Sequence, residues 1–194
     1  MTRQRLPPDQ ARERILDAAE KRLREGGLDA VRVQPIARDL GITDAAIHHH
    51  FEGRQGLLEA LLRRSGRRLK ESLRAIEVAD PEVIVERMAQ AYDDEGLAEL
   101  AMWLHHAGWR EGGSGMLSAL VETVHAARER CGVRVELEDT ARAIAWLHLT
   151  LATEPLFGGA VLRSVGLSSA KPSRGAQRAW IAEAMRRLLF SAER

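Results

Sequence analysis

Cysteine is nearly absent: the 194-residue chain holds only Cys131, which excludes an intramolecular disulfide and a cysteine-built zinc site and fits a reducing cytoplasm. Long apolar runs are missing too. The most apolar segment, Ala143 to Ala152, is interrupted by His148 and falls far short of the roughly 20 residues a membrane-spanning helix needs. Neither sign of charge dominates, because 29 Lys and Arg face 28 Asp and Glu for a net +1. That sum alone suggests neither a basic nucleic-acid binder nor an acidic partner. Aromatic residues make up 4% of the chain, and only Phe51 precedes residue 90. No segment alternates apolar and polar residues as a half-buried strand would, and there is no repeat or low-complexity tract. Met1 to Pro8 is basic but leads into a polar helix, so no signal peptide is expected. What remains, 45% hydrophobic and 29% charged, is the composition of a globular chain with a core to bury.

Helical periodicity fills the chain, and the expected fold class is all-α. Asp9 follows Pro7-Pro8 and can cap a first helix whose stripe is Ile15, Leu16, Ala19 and Leu23, ended by Gly26-Gly27. A second helix spans about 34–40, with Pro35 tolerated in its first turn and Gly41 stopping it. Thr43 caps a short third helix from Asp44 to about His50. From Arg54 the stripe Leu58, Leu61, Leu62, Leu69, Leu73 and Ile76 predicts a connecting helix to about residue 79, roughly 37 Å long at 1.5 Å per residue. Asp80-Pro81 restarts a fifth helix ending at Gly96. Residues 97–110 are apolar on more than one face and predict a surrounded, central helix. A seventh runs from Leu117 to Cys131, an eighth from Leu137 to about Leu156 with a kink or cap near Pro155 and a break at Gly158-Gly159, and a last from Ala176 to Ala192 after a Ser- and Gly-rich loop.

The sharpest local signal lies in residues 33–51. Ala37, Gly41 four residues later and Ile47 six further have the spacing of a helix-turn-helix: a small residue where the helices cross, a glycine for the positive φ of the turn, an apolar anchor for the second helix. The outer face of that second helix is then free to enter a DNA major groove, unless the motif is a plain helical corner. Three consecutive histidines, His48 to His50, do not make a metal site, because successive helical residues point about 100° apart and no cysteine or carboxylate cluster completes a ligand set. No cofactor is expected. Imidazoles near phosphate would instead strengthen binding as pH falls through about 6.5.

Leu28 through Phe51, followed by Arg54 and Leu57-Leu58, resembles the DNA-binding domain of TetR/AcrR-type transcriptional regulators over about residues 10–62. The resemblance implies a helix-turn-helix domain at 1–53 and a larger helical effector-binding and dimerisation domain at 54–194. It implies base-edge contacts from Asp44, Ala45, Ala46 and His48 and phosphate contacts from His49, His50 and Arg54. His48 stands where the family usually has Tyr, Arg32 where a Ser or Thr usually caps, and Arg54 where Lys is usual. Arg32 and Gln34 are then left to meet phosphate, and Thr43 shares the choice of sequence with His48. Asp44 either accepts from a cytosine amine or simply favours the positive helix N-terminus.

In the rest of the chain the resemblance names roles and few residues. It implies a small-molecule pocket, for which Tyr92, Trp103, Trp109 and Trp146 are candidate walls and His106, His125 and His148 candidate anchors; core packing explains each of them as well. The last two helices carry alanine-rich stripes that permit close approach, so Ile144, Leu151, Trp180, Ala184 and Leu188 are expected at a two-fold, four-helix dimer interface. Such a dimer would place two reading helices about 34 Å apart on a palindromic operator. A regulator released from DNA by its effector is therefore expected, and not an enzyme, since no triad order, phosphate loop or metal spacing is present. A helical architectural DNA binder without effector, or an enzyme using the same histidines, are the competing readings. The near-zero charge also divides: residues 1–70 hold 15 basic and 10 acidic groups, the remainder 14 and 18.

Overall fold

The computed structural model of the chain describes residues 7–76, 79–94, 97–109, 115, 117–167 and 174–191. Among these there are helices and turns but no strand. In chain order the helices are α1 (Pro8–Ala30), α2 (Val33–Leu40), α3 (Asp44–Phe51), α4 (Arg54–Arg74), α5 (Pro81–Asp94), α6 (Leu97–His106), α7 (Ser118–Arg130), α8 (Leu137–Thr153), α9 (Gly159–Ser164) and α10 (Arg174–Phe190). They group into two packing units. One holds the chain up to Ser65 together with Asp94–Arg110, the other Gly66–Asp93 and the chain from Glu111 onward, so α4 begins in the first and ends in the second.

The first unit is built on the stripes of α1 to α4. Ile15, Leu16, Ala19 and Leu23 are buried on α1, Ile36 and Ala37 on α2, Ile47 and Phe51 on α3, and Leu57, Leu58 and Leu61 on α4. Gly26 and Gly27 depart from helical dihedrals and bend the end of α1, the place where the sequence predicts the first helix to stop. A pair of opposite charges enters this interior. Arg64, 5% exposed, reaches Asp17 at 2.8 Å and Glu13 at 3.3 Å and bonds the carboxylate of the buried Glu20, tying α4 to α1. Leu97, Leu100 and Leu104 of α6 are buried, whereas His105 and His106 are exposed. The helix thus has one buried face and is not surrounded, in contrast to the sequence expectation.

In the second unit Asp80 Oδ1 accepts from the Glu82 amide at 2.9 Å and Pro81 opens α5, as capping chemistry predicts. Ile84, Val85 and Met88 of α5, Leu120 and Val124 of α7, Ile144, Leu147 and Leu151 of α8, and Ile181, Met185 and Leu189 of α10 are buried. Arg128 crosses this unit, donating to the Leu189 carbonyl at the end of α10 and to Thr140 Oγ1, both at 2.8 Å. The sequence overextends α8: it stops at Thr153 and passes into a π-helical turn, Glu154–Gly158. Pro155 has no N–H for the regular helical bond, and the wider turn absorbs its ring. The expected break at Gly158-Gly159 is not there, because both glycines keep right-handed helical dihedrals and lead into α9.

Candidate nucleic-acid interface

The residues that join α2 to α3 do so by local chemistry. Gly41 takes the left-handed conformation (φ 60°, ψ 37°), and the amide of Ile42 returns to the Ala37 carbonyl at 3.0 Å, closing the end of α2. Thr43 then caps α3, its Oγ1 accepting from the Ala46 amide at 3.2 Å. Arg32 stands at the corresponding place before α2 and supplies no cap; its Nε donates to the Asp29 carbonyl at 2.8 Å instead. With Ala37 and Ile47 buried between the helices, the periodicity of α3 turns Ala45, His48 and His49 outward. These three and Thr43 are exposed, and Asp44, Ala46 and His50 are half-buried. Arg32 and Gln34 are exposed on the approach to α2.

The far end of α3 is held by Arg12. Its Nη1 donates to the His50 carbonyl at 2.6 Å and its guanidinium lies 4.3 Å from the centre of the Phe51 ring. Partial burial, then the neighbouring His49 and Arg12, hold the His50 imidazole below its ordinary value, so it carries charge less readily than a free histidine. Gly56 permits the next turn: a Cβ there would overlap the Phe51 carbonyl oxygen. Arg54, expected at a phosphate, is engaged within the unit. Nε donates to the Val31 carbonyl and Nη2 to the Leu28 carbonyl, each at 2.7 Å, and the guanidinium lies 5.1 Å from the Trp103 ring centre.

Sequence reasoning passed over Arg12, Arg64 with Glu20, and Gly56. The signal for the two arginines was available. Arg12 precedes Ile15 and Leu16 by three and four residues and Arg64 follows Leu61 by three, which puts each cation on an apolar helix stripe.

The remaining expected site residues separate. Trp103, His106 and Trp109 belong to the first unit, and Tyr92, His125, Trp146 and His148 to the second. Of these, Tyr92 and His148 come together in ring contact, the Tyr92 hydroxyl 2.9 Å from His148 Nε2. Burial holds the His148 imidazole below its ordinary value and raises the Tyr92 phenol, so both are neutral near pH 7. His125 Nδ1 lies 3.0 Å from Thr140 Oγ1; His106 and Trp146 are exposed. A groove of about 300 Å³ in the first unit is lined by Lys21, Arg22, Glu25, Gly26, Ala30 and Asp39, none of them a predicted ligand contact. Ile144 and Leu151, expected at a dimer interface, are both 0% exposed within the single chain. Their stripe is core, and the outward large apolar residues of α8 are Leu137, Trp146 and Leu149 instead. On α10, Trp180 (64% exposed) and Leu188 (55%) lie outward with the half-buried Ala184 between them at four-residue steps.

Against known proteins, residues 15–61 match the family model described as bacterial regulatory proteins, tetR family. The HTH-type transcriptional regulator BetI of Yersinia pestis (strain Pestoides F) is 30% identical over 103 residues, which is 50% of this chain and 52% of that protein. The chain thus spans about half the length of the curated relatives it matches. Two solved structures share the fold across almost the whole chain. A TetR variant from Acinetobacter baumannii, crystallised with minocycline, is 18% identical with a TM-score of 0.56, covering 90% of this chain and 92% of that one. A tetR-family regulatory protein from Rhodococcus RHA1 is 15% identical with a TM-score of 0.63, covering 95% and 99%. At these identities the likeness is one of fold.

Proposed function

We propose, from the match of residues 15–61 to the tetR family of bacterial regulatory proteins and the likeness to BetI, that the chain is a regulator of that family: a cytoplasmic, sequence-specific DNA-binding transcriptional repressor, a homodimer released from a palindromic operator by a small-molecule effector. The observation that carries this reading is α3 itself: Ala37 and Ile47 bury its inner face while Thr43, Ala45, His48 and His49 stand exposed on a capped helix. In this reading residues 1–53 read DNA. Thr43, Asp44, Ala45, Ala46 and His48 meet base edges, and Arg32, Gln34, His49 and His50 meet phosphate. The excess of basic over acidic groups in residues 1–70, 15 against 10, supports it by favouring a polyanion.

Residues 54–194 serve the effector and the second copy. In the second unit the Tyr92–His148 pair, a buried phenol on a half-buried imidazole, supplies polar groups in an apolar bundle, the pattern of a ligand anchor, with His125 and Trp146 of the same unit as further candidates. The exposed apolar residues Trp146, Leu149, Trp180 and Leu188 with Ala184 form the face offered to a second copy. Release follows from linkage: an effector that binds the DNA-free form better weakens DNA by the same factor by which DNA weakens the effector. Footprinting on DNA flanking the chain's own gene tests the reading. A protected palindrome supports it, and equal binding to every duplex favours the architectural alternative. Sedimentation showing only monomer at micromolar concentration removes the dimer.

A further inference from the structure

Arg54 opens α4 at a position where family resemblance expects a cation on phosphate, yet its side chain is used to hold backbone. The two carbonyls it bonds, Leu28 and Val31, belong to the turn by which the chain leaves α1 and enters α2. Within the turn the Val31 amide bonds to Leu28, the Arg32 amide to Ala30 and the Arg32 side chain to the Asp29 carbonyl, but no side chain caps α2, and the Leu28 and Val31 carbonyls are the ones Arg54 takes. The guanidinium bonds the two carbonyls through its N–H groups and lies over the ring of Trp103 of α6. A planar fork can make both contacts at once, where an ammonium on a flexible stem gives one point of contact.

We propose that Arg54 is a positioning residue: with Trp103 it locks the α1–α2 turn, and through that turn the helix pair that presents α3, in place of gripping a DNA phosphate. This rests on the DNA-binding reading above. It also brings α6, supplied to the first unit from beyond residue 94, into the set of elements that orient the reading helix.

The test uses the full chain and a fluorescent duplex of about 30 base pairs, with anisotropy titrations across a salt series, because each lost phosphate contact lowers the slope of log affinity on log salt by about 0.9. Amide exchange at Val31 and Arg32, measured without DNA, reports the turn. In Arg54→Ala and Arg54→Lys the slope stays at the wild-type value while exchange at both amides accelerates about tenfold or more, the effect expected from losing hydrogen bonds to a charged donor. Trp103→Leu accelerates the same amides. A slope reduced by about 0.9 per chain in Arg54→Ala with unchanged exchange overturns the proposal, as does wild-type exchange in Arg54→Lys. Should Arg54→Ala fail to fold, the charge-preserving Arg54→Lys carries the comparison alone. If the wild type binds no duplex, the DNA reading fails, while the exchange data still decide whether Arg54 holds the turn.

Discussion

Replacing Arg64 by Met tests what holds α4 to α1. Arg64 is 5% exposed and Glu20 likewise 5%, so the pair sits out of water, whereas Asp17 and Glu13, its other partners, have side chains 66% and 59% exposed. Exposed pairs contribute roughly 0–1 kcal/mol each, and the loss is concentrated in Glu20. Stranding a buried charge costs about 3–5 kcal/mol. Arg24, which also bonds Glu20 at 3.0 Å from a half-exposed position, keeps part of that carboxylate paired, so about 2–4 kcal/mol is expected. With a urea m-value of about 2–3 kcal/mol/M, the midpoint followed by far-UV circular dichroism falls by roughly 1 M. Adding Glu20→Leu to Arg64→Met removes the stranded charge and restores packing, and the double variant returns to within about 1 kcal/mol of wild type. If the single variant shifts the midpoint by less than about 0.2 M, or the double variant is less stable than the single, the pair is not the buried tie described here.

The Tyr92–His148 pair predicts a pH dependence. Burial lowers the His148 pKa in the folded chain, so the unfolded chain binds the proton more readily; stability is full above the ordinary imidazole value near 6.5 and declines as pH falls from there toward the depressed folded value. Urea midpoints of the wild type should fall across that window, and His148→Gln should flatten that part of the profile; an unchanged profile in the variant would place the titration elsewhere. Tyr92→Phe removes the hydroxyl partner of the half-buried His148 imidazole and should cost about 1 kcal/mol in the same measurement. Gly56→Ala sets a methyl group against the Phe51 carbonyl, and displacement of the α3–α4 junction should cost about 1–3 kcal/mol and weaken duplex binding; wild-type stability and affinity would show that the junction has room to relax.

The sequence determined the helices, because capping, glycine stops and apolar periodicity act within a few residues of one another. Pro81, Thr43 and Gly41 all stand where local chemistry puts them. The outward stripe of α3 was legible for the same reason: Ala37, Gly41 and Ile47 fix which face of α3 is inner and so which is outer. Partner choice across the chain was not legible. Nothing local tells Arg54 to bond Leu28 and Val31 under Trp103, or marks the Ile144 and Leu151 stripe as core and Trp180 and Leu188 as surface. An alanine-rich apolar stripe satisfies a neighbour in the same chain or a second copy equally well. Pro155 and Gly158-Gly159 make the same point in the backbone. Each can end a helix, yet here the chain runs through a π-helical turn into α9, because glycine is as free to adopt right-handed helical dihedrals as to leave them. Only the tertiary structure decided between those permitted choices.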